Sequence, residues 1–500
     1  MIRFLCVSFF FVFISAHAAE PDCNKPFTTP DSFTKDITAL LKRRTPKAIR
    51  KAAARVKAAG VPGGVMGRYA SRFDYALKKM RNYELTVEIF GPAHAAVATH
   101  TGATITLADA LINLNRPDEA LTVMQAFEDQ KGLDGLLDPL RKRYYRWKAL
   151  ALFDMGRFSE AADAVKAFPG YLTSPGLMVI RREALKKVWN TGLAFAEMTD
   201  ADKQLVHEID RLTDNHDWKA AAALIDTVPH GDKLPLLRRR IELLNYFHRY
   251  DEAIAVADHL QTLEPNHPWP MRKKAYSLFM SHRFEEALAN VQRVIALGYE
   301  SPGTFMWEGK ILLRLGRDRE AFNTIEFAMQ LSQAYGKRIS TGYQYVYAQA
   351  LTKVDRLDEA ESILNGHPEM YRAEILRARI YIKRANYAAA VAALENSPPT
   401  AAVQWMRAQA LYGLGNMPAS QQTLLEMLGN PLADQMWVVV ALLKIERQGA
   451  GPRDGRLMNV LKKIGPAEAA RFADLADTLS WTRIGDADAE LGDVQGDDDD

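Results

Sequence analysis

Cysteine is almost missing from this 500-residue chain: Cys6 and Cys23 are its whole complement. Cys6 falls inside an apolar leader, so the processed chain keeps one thiol and no intramolecular disulfide. Cys23 follows Glu20-Pro21-Asp22 instead of the small and aliphatic residues of a lipidation site, leaving a free thiol or an intermolecular bridge as its expected state. Long apolar runs are missing too. The stretch from Phe4 to Ile14 is shorter than the roughly 20 residues a spanning helix requires, and no later stretch reaches that length without charges. No stable membrane span is therefore expected after leader removal. Glycine and proline are not enriched, and no Ser- or Gln-rich tract interrupts the body, which argues against a long linker between residues 30 and 480. The net charge of +3, together with export, argues against a nucleic-acid role.

Clusters of reactive residues are lacking as well. The histidines are scattered, with no HExxH and no cysteine partners, which leaves no metal site to expect. Gly303 to Lys310 has five residues between its glycines where a phosphate loop has four, and Ile311 where Ser or Thr should hold magnesium. No Gly-x-Ser-x-Gly elbow is present. The Asp486, Asp488, Glu490 run lacks the glycine a calcium loop needs at its sixth position. No catalytic residue and no cofactor is assigned. A small enzymatic unit would have to lie in residues 19–100 or 430–480, where no reactive cluster is found.

What is present begins with a secretory leader over residues 1–18: Arg3, the apolar run, then Ala16-His17-Ala18 at the cleavage positions. Cleavage after Ala18 implies a periplasmic or secreted protein, with an uncleaved anchor as the other reading. Residues 19–99 are basic. From Lys35 to Arg81 there are 14 bases against Asp36 and Asp74. Within them Thr45-Pro46 starts and Gly60 stops a helix whose Ile49, Ala52, Ala53, Val56 and Ala59 share one face. This region reads as a cap with a solvated outer face or as a contact for an anionic surface, either lipid head groups or acidic envelope polymer. Residues 484–500 form an acidic tail, expected to be disordered, with no base after Arg483.

Between these ends one phrase recurs: a turn, an arginine, an apolar residue, an acidic residue and an alanine. It is written Asn115-Arg116-Pro117-Asp118-Glu119-Ala120, Gly156-Arg157-Phe158-Ser159-Glu160-Ala161 and His248-Arg249-Tyr250-Asp251-Glu252-Ala253. It returns from His282 to Ala287, from Gly316 to Ala321 and from Asp355 to Ala360, with degenerate copies around Trp218, Tyr387 and Gly415. Ala253, Ala287 and Ala321 stand 34 residues apart, and a small or apolar residue precedes each by twelve positions, as at Ile241, Ala275 and Gly309. His248 and His282 hold the place of Gly156 and Gly316 and read as turn residues.

In this spacing and these small residues the chain resembles the tetratricopeptide repeat family. The resemblance implies an all-α, right-handed superhelical solenoid of antiparallel helix pairs over residues 100–430, about nine units, followed by a helical cap over 431–483. The stretch from Phe168 to Asp200 fits badly, as a long connector or a degenerate unit. In the family, exposed residues of each first helix line a groove. Carried over, these are Arg238, Glu242 and Tyr246; Arg272, Tyr276 and Phe279; Met306, Lys310 and Arg314; Tyr345, Gln349 and Lys353; Arg372, Arg379 and Lys383; and Trp405, Gln409 and Tyr412. The Lys-Asn-Asn carboxylate clamp of some members is not matched by Arg238, Glu242 and Tyr246.

The expectation is a non-enzymatic envelope scaffold that holds a protein or peptide, acidic in character, in a cationic and aromatic groove. The alternative is an accessory protein of a polysaccharide-export or motility machine that contacts an anionic polymer.

Overall fold

The computed structural model describes residues 31–61, 63–93, 97–190, 197–227, 232–367, 370, 373–428, 435–448 and 454–478. The leader, Cys6, Cys23, Arg372 and the acidic tail lie outside the described residues. No strand occurs among the described residues; the chain is all-α. It divides into two compact units, residues 1–169 and 170–500. That division falls inside the stretch expected to be one array.

The first unit contains α1 (Asp31–Lys42), α2 (Pro46–Ala58), α3 (Ala70–Met80), α4 (Tyr83–Phe90) and the pairs α5 (Thr101–Asn113) with α6 (Pro117–Lys131) and α7 (Asp138–Asp154) with α8 (Phe158–Lys166). The basic helix α2 starts where its sequence says: Thr45 Oγ1 accepts from the Ala48 N–H at 3.3 Å, and Pro46 fills the first turn. Its apolar face is already used. Ile49, Ala52 and Val56 are fully buried in one core with Ile37, Phe73 and Leu77.

The second unit opens with α9 (Pro175–Trp189) and continues as seven pairs: α10 (Asp200–Asp214) with α11 (Trp218–Asp226), α12 (Leu234–Tyr246) with α13 (Tyr250–Leu263), α14 (Pro268–Met280) with α15 (Phe284–Ala296), α16 (Pro302–Arg314) with α17 (Asp318–Ala334), α18 (Thr341–Lys353) with α19 (Leu357–Gly366), α20 (Ala373–Lys383) with α21 (Tyr387–Ala393), and α22 (Ala401–Gly413) with α23 (Met417–Met427). Then come α24 (Gln435–Arg447), α25 (Gly455–Ile464) and α26 (Pro466–Thr478).

One local device closes every pair. The first helix ends on a left-handed residue: Asn115, Gly156, His216, His248, His282, Gly316, Asp355, Ala385 or Gly415. The next N–H then turns back to a carbonyl of the last turn, as from Arg249 to Leu244 and from Arg283 to Leu278, both at 2.8 Å. In six pairs the arginine that follows forks onto a glutamate three residues on, from Arg116–Glu119 to Arg356–Glu359. In the other three an Asp217, Asn386 or Asn416 side chain caps the second helix instead. His248 and His282 are turn residues, as their alignment with glycines predicts.

Close approach of the two helices requires small side chains. Ala120, Ala161, Ala253, Ala287, Ala321 and Ala360 are completely buried. A Cβ on Gly309 would lie 2.3 Å from Ile325 Cγ1, so this glycine serves packing between α16 and α17, and the resemblance of its neighbourhood to a phosphate loop has no functional content.

The segment that fits the repeat badly has its own role. Helix α9 leaves the ladder and docks more than a hundred residues downstream, on the turn between α15 and α16. Arg181, 4% exposed, forms a 2.8 Å ion pair with Glu300 and donates to the Gly298 carbonyl at 3.2 Å. Tyr171 donates to Glu300 at 2.8 Å and the Trp189 indole to the Leu297 carbonyl at 3.1 Å. Gly298 has φ +87°, and a Cβ there would strike Leu185 at 2.4 Å. The segment that fits the repeat badly is therefore a docked strut.

Candidate functional site

The first helices of four successive pairs, α10, α12, α14 and α16, enclose a cavity of about 780 Å³. Asp210 and Asp214 come from α10, Arg239, Glu242 and Tyr246 from α12, Trp269, Arg272, Lys273 and Tyr276 from α14, and Trp307 from α16; Trp218 joins from α11. Residues three and four apart on each helix supply these side chains, as one face of an α-helix requires.

Aromatic rings form its floor. Trp218 and Tyr246 stack at 4.3 Å between centroids, with Tyr246 45% exposed. Trp307 receives Tyr276 and Phe279 edge-on at 5.9 and 5.4 Å. Trp269 has Arg238 and Lys273 near its ring at 5.3 and 5.6 Å. Such surfaces offer large contact area at low cost in side-chain entropy.

The charges largely answer one another. Arg239 pairs with Asp210 and, at 3.3 Å, with Glu242, which also faces Lys273 at 3.8 Å. Arg272 donates to the Tyr299 hydroxyl at 2.7 Å, its guanidinium 4.5 Å from that ring's centre. Three carboxylates thus stand against three bases in the lining. The expected cationic groove is, at this cavity, a balanced one. His267, at the start of α14, accepts from the Trp269 N–H through Nδ1, and burial pushes its pKa below the ordinary value. Half-buried Lys310, 5.0 Å from the Trp307 ring, is pulled down to about 8 by desolvation.

Of the residues carried over by resemblance, Glu242, Tyr246, Arg272 and Tyr276 line the cavity, and Phe279 and Lys310 adjoin it through Trp307. The rest are placed otherwise. Arg238 turns to the buried Glu264, 2.6 Å away. Arg314 lies over Phe284, and Lys383 reaches Asp355 at 2.7 Å. Tyr412 donates to Gln448 at 2.8 Å. Lys353 and Arg379 are half-buried. Met306, Tyr345, Trp405 and Gln409 are corrected outright: at 1%, 8%, 4% and 6% exposure they belong to the interior. Each first helix is covered on two sides by neighbouring pairs, so its open stripe is narrower than the three positions assigned to it.

A family model described as tetratricopeptide repeat matches residues 105–171. Over those residues the chain carries a tetratricopeptide repeat. Similar solved structures include a tetratricopeptide repeat protein from Parabacteroides merdae, 16% identical over 49% of this chain and 98% of that one, with a TM-score of 0.40. The APC/C hetero-tetramer Cut9-Hcn1 is 11% identical over 90% and 96%, TM-score 0.40, and yeast Tom70 12% over 78% and 97%, TM-score 0.32. No curated protein matches the sequence.

The cavity residues that the sequence pattern did not single out are Trp218, Trp269 and Trp307, with Arg239, Lys273, Asp210 and Asp214. A signal existed: three of the eight tryptophans fall within 90 residues of one another, inside or beside first helices. Among the described residues no three His, Cys, Asp or Glu side chains group to hold a metal, and no helix is long and apolar enough to cross a membrane.

Proposed function

We propose that the protein is an exported interaction scaffold whose second unit holds an extended segment of a partner protein along the groove of α10, α12, α14 and α16. One observation carries this reading: a single cavity runs across four consecutive pairs and is floored by Trp218, Tyr246, Trp269, Tyr276 and Trp307. An extended chain offers side chains at regular intervals, and aromatic anchors on successive helices meet them in series. The balanced charges suit a mixed polar and apolar segment better than a strongly acidic one.

A photo-reactive residue in place of exposed Tyr246 should give a discrete adduct in the native envelope. Trp269→Ala combined with Trp307→Ala should remove that adduct while far-ultraviolet circular dichroism stays unchanged. An undiminished adduct in the double variant would rule the groove out. Export belongs to the same proposal and is supported by the Arg3 to Ala18 pattern. Sequencing the mature N-terminus should return Ala19 as the first residue, and a chain that retains Met1 would refute it.

A further inference from the structure

The groove leaves one strong feature of the molecule unused, the basic surface of the first unit. Tyr75 on α3 is 56% exposed, one of the few large apolar side chains that stand in solvent among the described residues. Two cations flank its ring: Arg44, from the turn between α1 and α2, at 5.6 Å and Lys79 at 5.9 Å. Arg72, Lys78 and Lys79 stand three residues before, three after and four after Tyr75, on the same face of α3. Lys42 and Arg43 precede Arg44 in its turn, and all these cations are exposed.

Nearby acids do not neutralise them. Asp74 is turned the other way, accepting from Thr106 Oγ1 at 2.5 Å. Asp36 faces Arg55 at 3.3 Å and Glu88 faces Arg50 at 2.7 Å. Lys42, Arg43, Lys47, Lys51, Lys78 and Lys79 have no carboxylate partner among the described residues. Arg44 and Arg81, which end α1 and α3, both have left-handed backbones, φ 47° and 51°, a conformation that glycine or asparagine would hold at less cost.

We infer that this face, centred on Tyr75 and Arg44, docks on an anionic phospholipid surface. Charge complementarity is the first argument: a concentrated set of cations with no carboxylate partner among the described residues. The second is the single exposed tyrosine among them, the residue type that settles at head-group level with its hydroxyl in water. The third is chemistry. Exposed lysines are flexible point charges, which suit fluid head groups that rearrange around them and make poor bidentate readers of a fixed polymer. Helix α2 does not insert, because Ile49, Ala52 and Val56 are committed to the core. Docking is thus peripheral and electrostatic, with each cation near the surface worth about fivefold in partitioning.

The test is flotation of the purified full chain with vesicles of phosphatidylcholine alone or with about one third phosphatidylglycerol. The protein should float with the anionic vesicles alone. Arg44→Glu with Lys79→Glu should weaken this at least about tenfold, and Tyr75→Ala severalfold at constant charge. Lys219→Glu with Lys337→Glu, a charge-matched pair from the second unit, should leave it unchanged. Circular dichroism on each variant keeps loss of folding apart from loss of docking. Equal binding to both vesicles, absence from the anionic ones, or equal effects of the two charge pairs would overturn the assignment. So would retention on soluble polyglutamate or duplex DNA with the vesicles left bare, an outcome that gives the face to a polymer.

Discussion

At Lys310 a charge is held in a place that disfavours it. The ammonium stands 5.0 Å from the Trp307 ring, half-buried, with no carboxylate at ion-pair distance among the described residues. Desolvation draws its pKa from 10.5 to about 8. The unfolded chain therefore binds more protons than the folded one between about pH 8 and 10.5, and stability contributed at this site rises with pH through that window. Below pH 8 the amine is protonated in both states and the folded chain bears the full cost. Lys310→Met should accordingly raise the urea midpoint at pH 7, with the advantage over wild type narrowing as pH climbs from 8 toward 10.5. An advantage that is flat with pH would show that the methionine acts through packing instead. The left-handed turn residues present the same kind of question with a different answer. Asn115, His216, His248, His282, Asp355 and Ala385 carry a conformation worth roughly 1–2 kcal/mol against them, yet each lets a helix end satisfy its carbonyls inside the protein.

The helix pairs were legible in the sequence because everything that makes them is local. The left-handed turn, the Arg–Glu fork and the buried alanine lie within a dozen residues and repeat, so spacing alone locates them. The strut was legible only as a misfit. Pro169, Pro175 and Trp189 announce that α9 breaks the repeat, but its partner Glu300 lies 129 residues from Tyr171, and no periodic pattern encodes that pairing. The groove was half legible for a related reason. Sequence position gives the first helices, but which few side chains stay open depends on how adjacent pairs cover them; Tyr345 and Trp405 were assigned outward and point inward. The buried pair that fixes α9 has an energetic consequence. Glu300→Ala leaves the Arg181 guanidinium in the interior without its counterion, a loss of about 3–5 kcal/mol for a buried pair broken on one side. Helix α9 should undock, seen as faster amide exchange over residues 175–189 and a red-shifted Trp189 emission. Replacing both partners, Arg181→Met with Glu300→Leu, should recover much of the protection. Equal exchange in Glu300→Ala and wild type would mean that Tyr171 and Trp189 hold the helix unaided.

Charge is distributed over the chain in a way that its total conceals. Of 64 bases and 61 acids, 14 and 2 fall between Lys35 and Arg81, so the remainder holds 50 bases against 59 acids. The two proposed surfaces therefore answer differently to ionic strength. At the basic face the cations act on a distant charged plane through solvent, and shortening the Debye length from about 14 Å to 4 Å removes most of that attraction. In the groove, Arg239, Asp210, Glu242 and Lys273 are engaged with one another at contact distance, and a partner gains mainly from burying rings. Raising salt from about 50 to 500 mM should release the protein from anionic vesicles by more than tenfold while changing the yield of the Tyr246 cross-linked adduct by less than about threefold. If the adduct fell in parallel with vesicle binding, the groove would be reading charge after all, and its internal ion pairs would have to open when the partner arrives.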